Sequence, residues 1–69
     1  MTIRIETEQE TDGRWIADAP DLSGVMAYGQ TKEQAVRFAE ALALRVIAER
    51  LEYGEPVPEV TGQLFEVAV

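Results

Sequence analysis

From Lys32 to Tyr53 the chain carries the pattern of one long amphipathic helix with sharply marked ends. Thr31 is a good N-cap, because its hydroxyl can accept from a backbone amide two or three residues on that would otherwise lack a partner. Gln34, three residues later, completes a capping-box pattern with it. Gly54 supplies the C-terminal stop, and Pro56 and Pro58 prevent the helix from resuming. At roughly 100 degrees per residue, Ala35, Phe38, Ala39, Leu42, Ala43, Val46 and Ile47 gather on one face, which is predicted to be buried, while Glu33, Arg37, Glu40, Arg45, Glu49 and Glu52 lie largely outside it. In a chain of 69 residues such a helix must be covered by a layer built from everything else. Leu44 and Leu51 fall on its polar side, either as scattered surface leucines or as a second contact surface for another subunit.

The remaining segments read as strands. Thr2 to Glu10 sets Ile3, Ile5 and Thr7 against Arg4, Glu6 and Glu8, the period of two expected when one face is buried, with fraying from Gln9. Asp12-Gly13 predicts a tight type I′ turn, and a second strand follows from Arg14 to Asp18 to make a hairpin. Trp15 and Ala17 then point to one side and Ile16 to the other, so one apolar side chain must find cover away from the main core. Ala19-Pro20-Asp21-Leu22-Ser23-Gly24 breaks the strand and re-aims the chain. Val25 to Tyr28 is predicted as a third strand and Gln63 to Val69 as the last. The expected architecture is a two-layer α+β domain of order strand-strand-strand-helix-strand, with the helix across one face of a four-stranded sheet. A single domain over 1–69 is expected.

Composition narrows the chemistry. The chain contains neither Cys nor His, so thiolate or imidazole metal ligands, disulfides and an imidazole proton shuttle are all absent from its repertoire. A domain this small without covalent staples tends to complete its core against another subunit, so a homodimer or higher homo-oligomer is expected. The start Met1-Thr2-Ile3-Arg4-Ile5-Glu6 lacks the basic and apolar regions of a signal peptide, and the most hydrophobic part, Phe38 to Ala48, is broken by Glu40 and Arg45; a cytoplasmic protein outside the membrane is expected. Thirteen acidic residues against six basic ones give a net charge of −7. That balance opposes direct contact with nucleic acid, whose affinity rests on Lys and Arg displacing counterions. It serves solubility and also suits a basic protein partner.

Few residues could carry catalysis. Asp12, Asp18 and Asp21 cluster near the hairpin and bend and could together hold a divalent ion, although a turn, a strand end and a Pro-Asp bend account for them individually. Ser23 and the threonines have no His to activate them, and Lys32 lies in the first helical turn. Gly24 and Gly29 do not have phosphate-cradling spacing. No enzyme activity and no cofactor are expected. Trp15, Met26 and Tyr28 are either core or part of a partner-binding patch, since aromatic residues and Met are enriched where proteins pack together. The candidate partner-binding set is Trp15, Asp18, Asp21, Met26, Tyr28, Leu44 and Leu51.

Four stretches in order resemble the HicB-like antitoxin family: Asp12-Gly13-Arg14-Trp15-Ile16-Ala17, then Ala19-Pro20-Asp21-Leu22-Ser23-Gly24, then Gly29-Gln30-Thr31-Lys32-Glu33-Gln34-Ala35, and Gly54-Glu55-Pro56-Val57-Pro58 after the helix. Each is weak alone; the ordered set is more specific. Val25 stands where many relatives carry Cys after the bend. The resemblance implies a partial RNase H-like fold and a cytoplasmic antitoxin that binds and neutralises a small basic, HicA-like, mRNA-cleaving toxin. Longer members add a C-terminal DNA-binding domain, so this chain is expected to be a short form without it. The alternatives are a solitary HicB-like oligomeric protein with no toxin, serving as a structural or ligand-binding module, and a reduced RNase H-like nuclease using the aspartates with a metal.

Overall fold

The computed structural model describes residues 3–57 and 65–68, which form a four-stranded mixed sheet and one helix. The elements are β1 (Ile3–Gln9), β2 (Trp15–Asp18), β3 (Met26–Gly29), α1 (Lys32–Glu52) and β4 (Phe65–Val67). This is the small α+β arrangement and element order expected from the sequence. The sheet order is β3-β2-β1-β4, with β1 and β2 antiparallel, β2 and β3 antiparallel, and β4 parallel to β1. Parallel neighbours need a crossover rather than a hairpin. The chain makes it by running α1 over the sheet from the β3 edge before β4 joins the opposite edge.

Strand parity fixes which face the helix covers. Ile3 and Ile5 of β1 and Ala17 of β2 are fully buried, together with Ala35, Ala39 and Ala43 of α1. The three alanines are spaced four apart, so they form a narrow strip down the helix. Their small side chains let the helix sit close to the sheet. Val36, Leu42, Val46 and Ile47 flank that strip and pack against the core, as do Trp15, Ala27 and Phe65 from the sheet. Phe38 does not belong to this face. It is 45% exposed, because the buried strip is centred on the alanines and Phe38 projects well to one side of it.

The hairpin turn differs from the expected type I′. Glu10 and Arg14 pair through Glu10 N–H to Arg14 C=O, while Gly13 N–H donates to Glu10 C=O, leaving a three-residue loop. Only Gly13 takes positive φ, at 91°, whereas Asp12 does not. This is a type I turn followed by a glycine bulge, the other common hairpin solution. The register is kept: Gln9 faces Trp15 and Glu8 faces Ile16.

The bend is two successive turns closed by Leu22 N–H to Ala19 C=O and Val25 N–H to Leu22 C=O, with Ala19 N–H donating to Val25 C=O across the base. Gly24 has φ 86°, as the third position of a type II turn requires. Leu22 turns inward and is almost fully buried between Ala19 and Val25. Val25 is thus spent on the bend, and β3 begins at Met26 and ends at Gly29 rather than running from Val25 to Tyr28.

Thr31 caps α1 as expected, its hydroxyl accepting from Gln34 N–H at 3.0 Å. The return bond reaches one residue further back than in a capping box: Gln34 Oε1 accepts from Gln30 N–H at 2.6 Å. At the other end the helix stops one residue short of expectation, with Tyr53 as C-cap. Gly54 N–H then donates to Leu51 C=O and Glu55 N–H to Arg50 C=O, the paired bonds of a Schellman motif, with Gly54 at φ 70°. The first and last strands, expected over Thr2 to Glu10 and Gln63 to Val69, are observed as Ile3–Gln9 and Phe65–Val67; Glu10 and Ala68 fall just beyond them, and Thr2, Gln63, Leu64 and Val69 lie outside the described residues. No helix among the described residues is long and apolar enough to cross a membrane.

Candidate functional site

α1 covers one face of the sheet, and no element among the described residues covers the other. By alternation, Arg4, Glu6 and Glu8 of β1, Ile16 and Asp18 of β2, Met26 and Tyr28 of β3 and Glu66 of β4 project there. Cross-strand register brings the apolar members together, with Tyr28 directly opposite Ile16 and Met26 opposite Asp18. Met26 is 53% exposed and Tyr28 42% exposed. Glu6, Glu8, Ile16, Asp18 and Met26, with Thr7 and Ala68, line a shallow depression of about 480 Å³. It is an apolar strip with an acidic border.

The cations on this face are already engaged. Arg4 pairs with its neighbour Glu6 at 3.4 Å. Arg14 Nε donates to Asp12 Oδ2 at 2.8 Å, and its backbone N–H donates to Asp12 Oδ1 at 3.0 Å. The same guanidinium lies 4.7 Å from the centre of the Tyr28 ring, a cation–π contact that holds Tyr28 at the strip's end. The bonds from Arg14, the backbone one foremost, hold the Asp12 carboxyl below its ordinary range. Glu8, Asp18 and Glu66 make no ion pair among the described residues, so the field over the strip is negative.

The candidate residues named from sequence do not form one surface. Asp18, Met26 and Tyr28 meet on the open sheet face. Trp15 lies on the opposite face, half-buried against the core beneath α1. Asp21 is exposed in the bend, and Leu44 and Leu51 are exposed on the outer side of α1. Sequence reasoning left Ile16, Glu6 and Glu8 out of the set. The signal that finds them is parity: each shares a face with Met26 or Tyr28 once the hairpin register is known.

Metal chemistry gains no ligand set. Asp12 is committed to Arg14, Asp18 is on the open face and Asp21 is in the bend; among the described residues no three His, Cys, Asp or Glu side chains are placed to hold a metal ion. No family model, curated protein or solved structure matches the chain.

Proposed function

We propose that the chain is a HicB-like antitoxin core, a cytoplasmic protein-binding module whose open sheet face receives a small basic mRNA-cleaving toxin. The observation that carries this reading is the juxtaposition of Ile16, Met26 and Tyr28 with the acidic border of Glu6, Glu8 and Asp18. Apolar side chains at the centre of a patch supply burial on association, and the charged rim selects the sign of the partner and speeds encounter. The element order agrees with the partial RNase H-like arrangement that the resemblance implies, and the ordered stretches from Asp12 to Ala35 supply its turns and helix start.

The mechanism is occlusion. A toxin that cleaves mRNA needs a basic surface to hold the phosphate backbone. An acidic face that covers that surface removes it from RNA without any chemistry by the antitoxin. The test is titration calorimetry of this chain against the small basic protein encoded beside its gene, with RNA cleavage measured in parallel. Binding that weakens with salt, and loss of cleavage at stoichiometric antitoxin, are expected. Asp18→Lys and Glu8→Lys should weaken binding roughly tenfold or more while leaving the fold intact, because both side chains are on the open face. A neighbourhood without such a gene, or binding indifferent to these reversals, contradicts the reading.

A further inference from the structure

The outer side of α1 carries a regular pattern that the core does not use. Arg37, Ala41, Leu44, Ala48 and Leu51 recur at alternating spacings of four and three, the seam of a coiled coil, on the side of the helix away from Ala35, Ala39 and Ala43. Leu44 is 48% exposed and Leu51 61% exposed. Phe38 lies beside this seam and is also uncovered.

We propose that this seam is a homodimer interface in which α1 of one copy packs antiparallel against α1 of a second. One register satisfies the whole stripe. With the helices reversed, Leu44 faces the second copy's Ala48 and Leu51 faces its Ala41, so each large side chain meets a small one and the helices can approach closely. The same register carries Arg37 to the end of the second helix, where Glu52 and Glu55 are exposed. Arg37 makes no ion pair among the described residues; its guanidinium only lies 5.8 Å from the Phe38 ring centre. Antiparallel packing also opposes the two helix dipoles favourably. A parallel pairing would stack Arg37 on Arg37 and Leu on Leu, leaving the alanines with gaps between them.

Charge argues against the other uncovered face for the same role. Two open sheet faces brought together would oppose Glu6, Glu8 and Asp18 with their own copies. On the helix seam, by contrast, Arg37 near one end, although flanked by Glu33 and Glu40, can reach Glu52 and Glu55 at the far end of a reversed copy. The product is a sheet-helix-helix-sheet assembly that leaves both acidic faces outward for a partner.

The chain has no native cysteine, so engineered ones report contacts cleanly. Sedimentation equilibrium of the full chain is expected to give a dimer, and Leu44→Glu with Leu51→Glu a monomer of unchanged circular dichroism. Under mild oxidation a mixture of Leu44→Cys and Ala48→Cys proteins should cross-link between the two variants in preference to within either. Arg37→Glu should weaken the dimer, and adding Glu52→Arg and Glu55→Arg should restore it. A monomeric wild type at millimolar concentration, a dimer indifferent to Leu44→Glu and Leu51→Glu, or Leu44→Cys cross-linking to itself in preference to Ala48→Cys overturns the proposal. Toxin binding at the sheet face is measured separately, so failure here leaves that reading standing.

Discussion

Gly29 sits where the end of β3 passes the first turn of α1, and an alanine there tests how closely helix and sheet are held. A Cβ at position 29 would stand 2.5 Å from Ala35 N, 2.9 Å from Ala35 Cα and 3.0 Å from Gln34 C. All three atoms are backbone, so no side chain can swing away; strand and helix start must move apart. Gly29 does not have positive φ, so no left-handed backbone opposes an alanine there. With no steric conflict, Gly→Ala at such a position would stabilise by about 0.4–1 kcal/mol through the unfolded chain. Overpacking against an immovable neighbour instead costs about 1–3 kcal/mol or more, so Gly29→Ala is expected to destabilise by about 2–3 kcal/mol. For a domain of this size that lowers the melting temperature by roughly 8–24 °C. Urea unfolding gives the value directly, with Gly13→Ala as control, since a Cβ there meets nothing within 4 Å and only φ 91° opposes it. The control should cost about 1–2 kcal/mol. A stabilised or unchanged Gly29→Ala, with an unchanged urea slope, would refute the close approach.

Leu22 gives a second test: although it belongs to a loop, its side chain is 2% exposed, and Leu22→Ala should destabilise by about 2–4 kcal/mol in urea unfolding, whereas a surface-loop effect below about 0.5 kcal/mol would show that the bend does not plug the core. Asp12 gives a third. Its carboxyl is held down by Arg14, so its contribution to the hairpin is present above the ordinary carboxylate value of 3.8 and is lost as pH falls through the lower folded midpoint. A nuclear magnetic resonance titration should place that midpoint below 3.8, and Arg14→Ala should return it upward; a midpoint at or above 3.8 in the native chain contradicts the bond.

Much of the fold was legible in local chemistry. Thr31 and Gly54 act where their side chain and conformational freedom say they should, and the alternation in Thr2 to Glu10 puts Ile3 and Ile5 in the core. The errors have physical causes. A helical wheel weights Phe38 by hydrophobicity, but the helix approaches the sheet along its smallest residues, and a phenylalanine at the margin is left outside. Asp-Gly is compatible with more than one hairpin loop, and Asp12 selects the three-residue form by accepting from Arg14. Gly29 looks like a strand terminator until α1 is placed against it. The site was less legible because a patch on a sheet depends on register. Met26, Tyr28 and Asp18 are separated in sequence from Glu6 and Glu8, and only the pairing of β1, β2 and β3 puts them on one face. Trp15, beside Ile16 in sequence, is directed to the other side by the same alternation.

The central claim is that the helix-free, acidic sheet face is the surface a basic partner covers. The direct measurement is amide-shift mapping of the isotope-labelled chain as a small basic protein of the proposed partner class is added. The account predicts perturbations centred on Glu6, Glu8, Ile16, Asp18, Met26 and Tyr28, with the outer side of α1 around Leu44 and Leu51 unmoved. Perturbations centred on α1, or none at saturating partner, would contradict it.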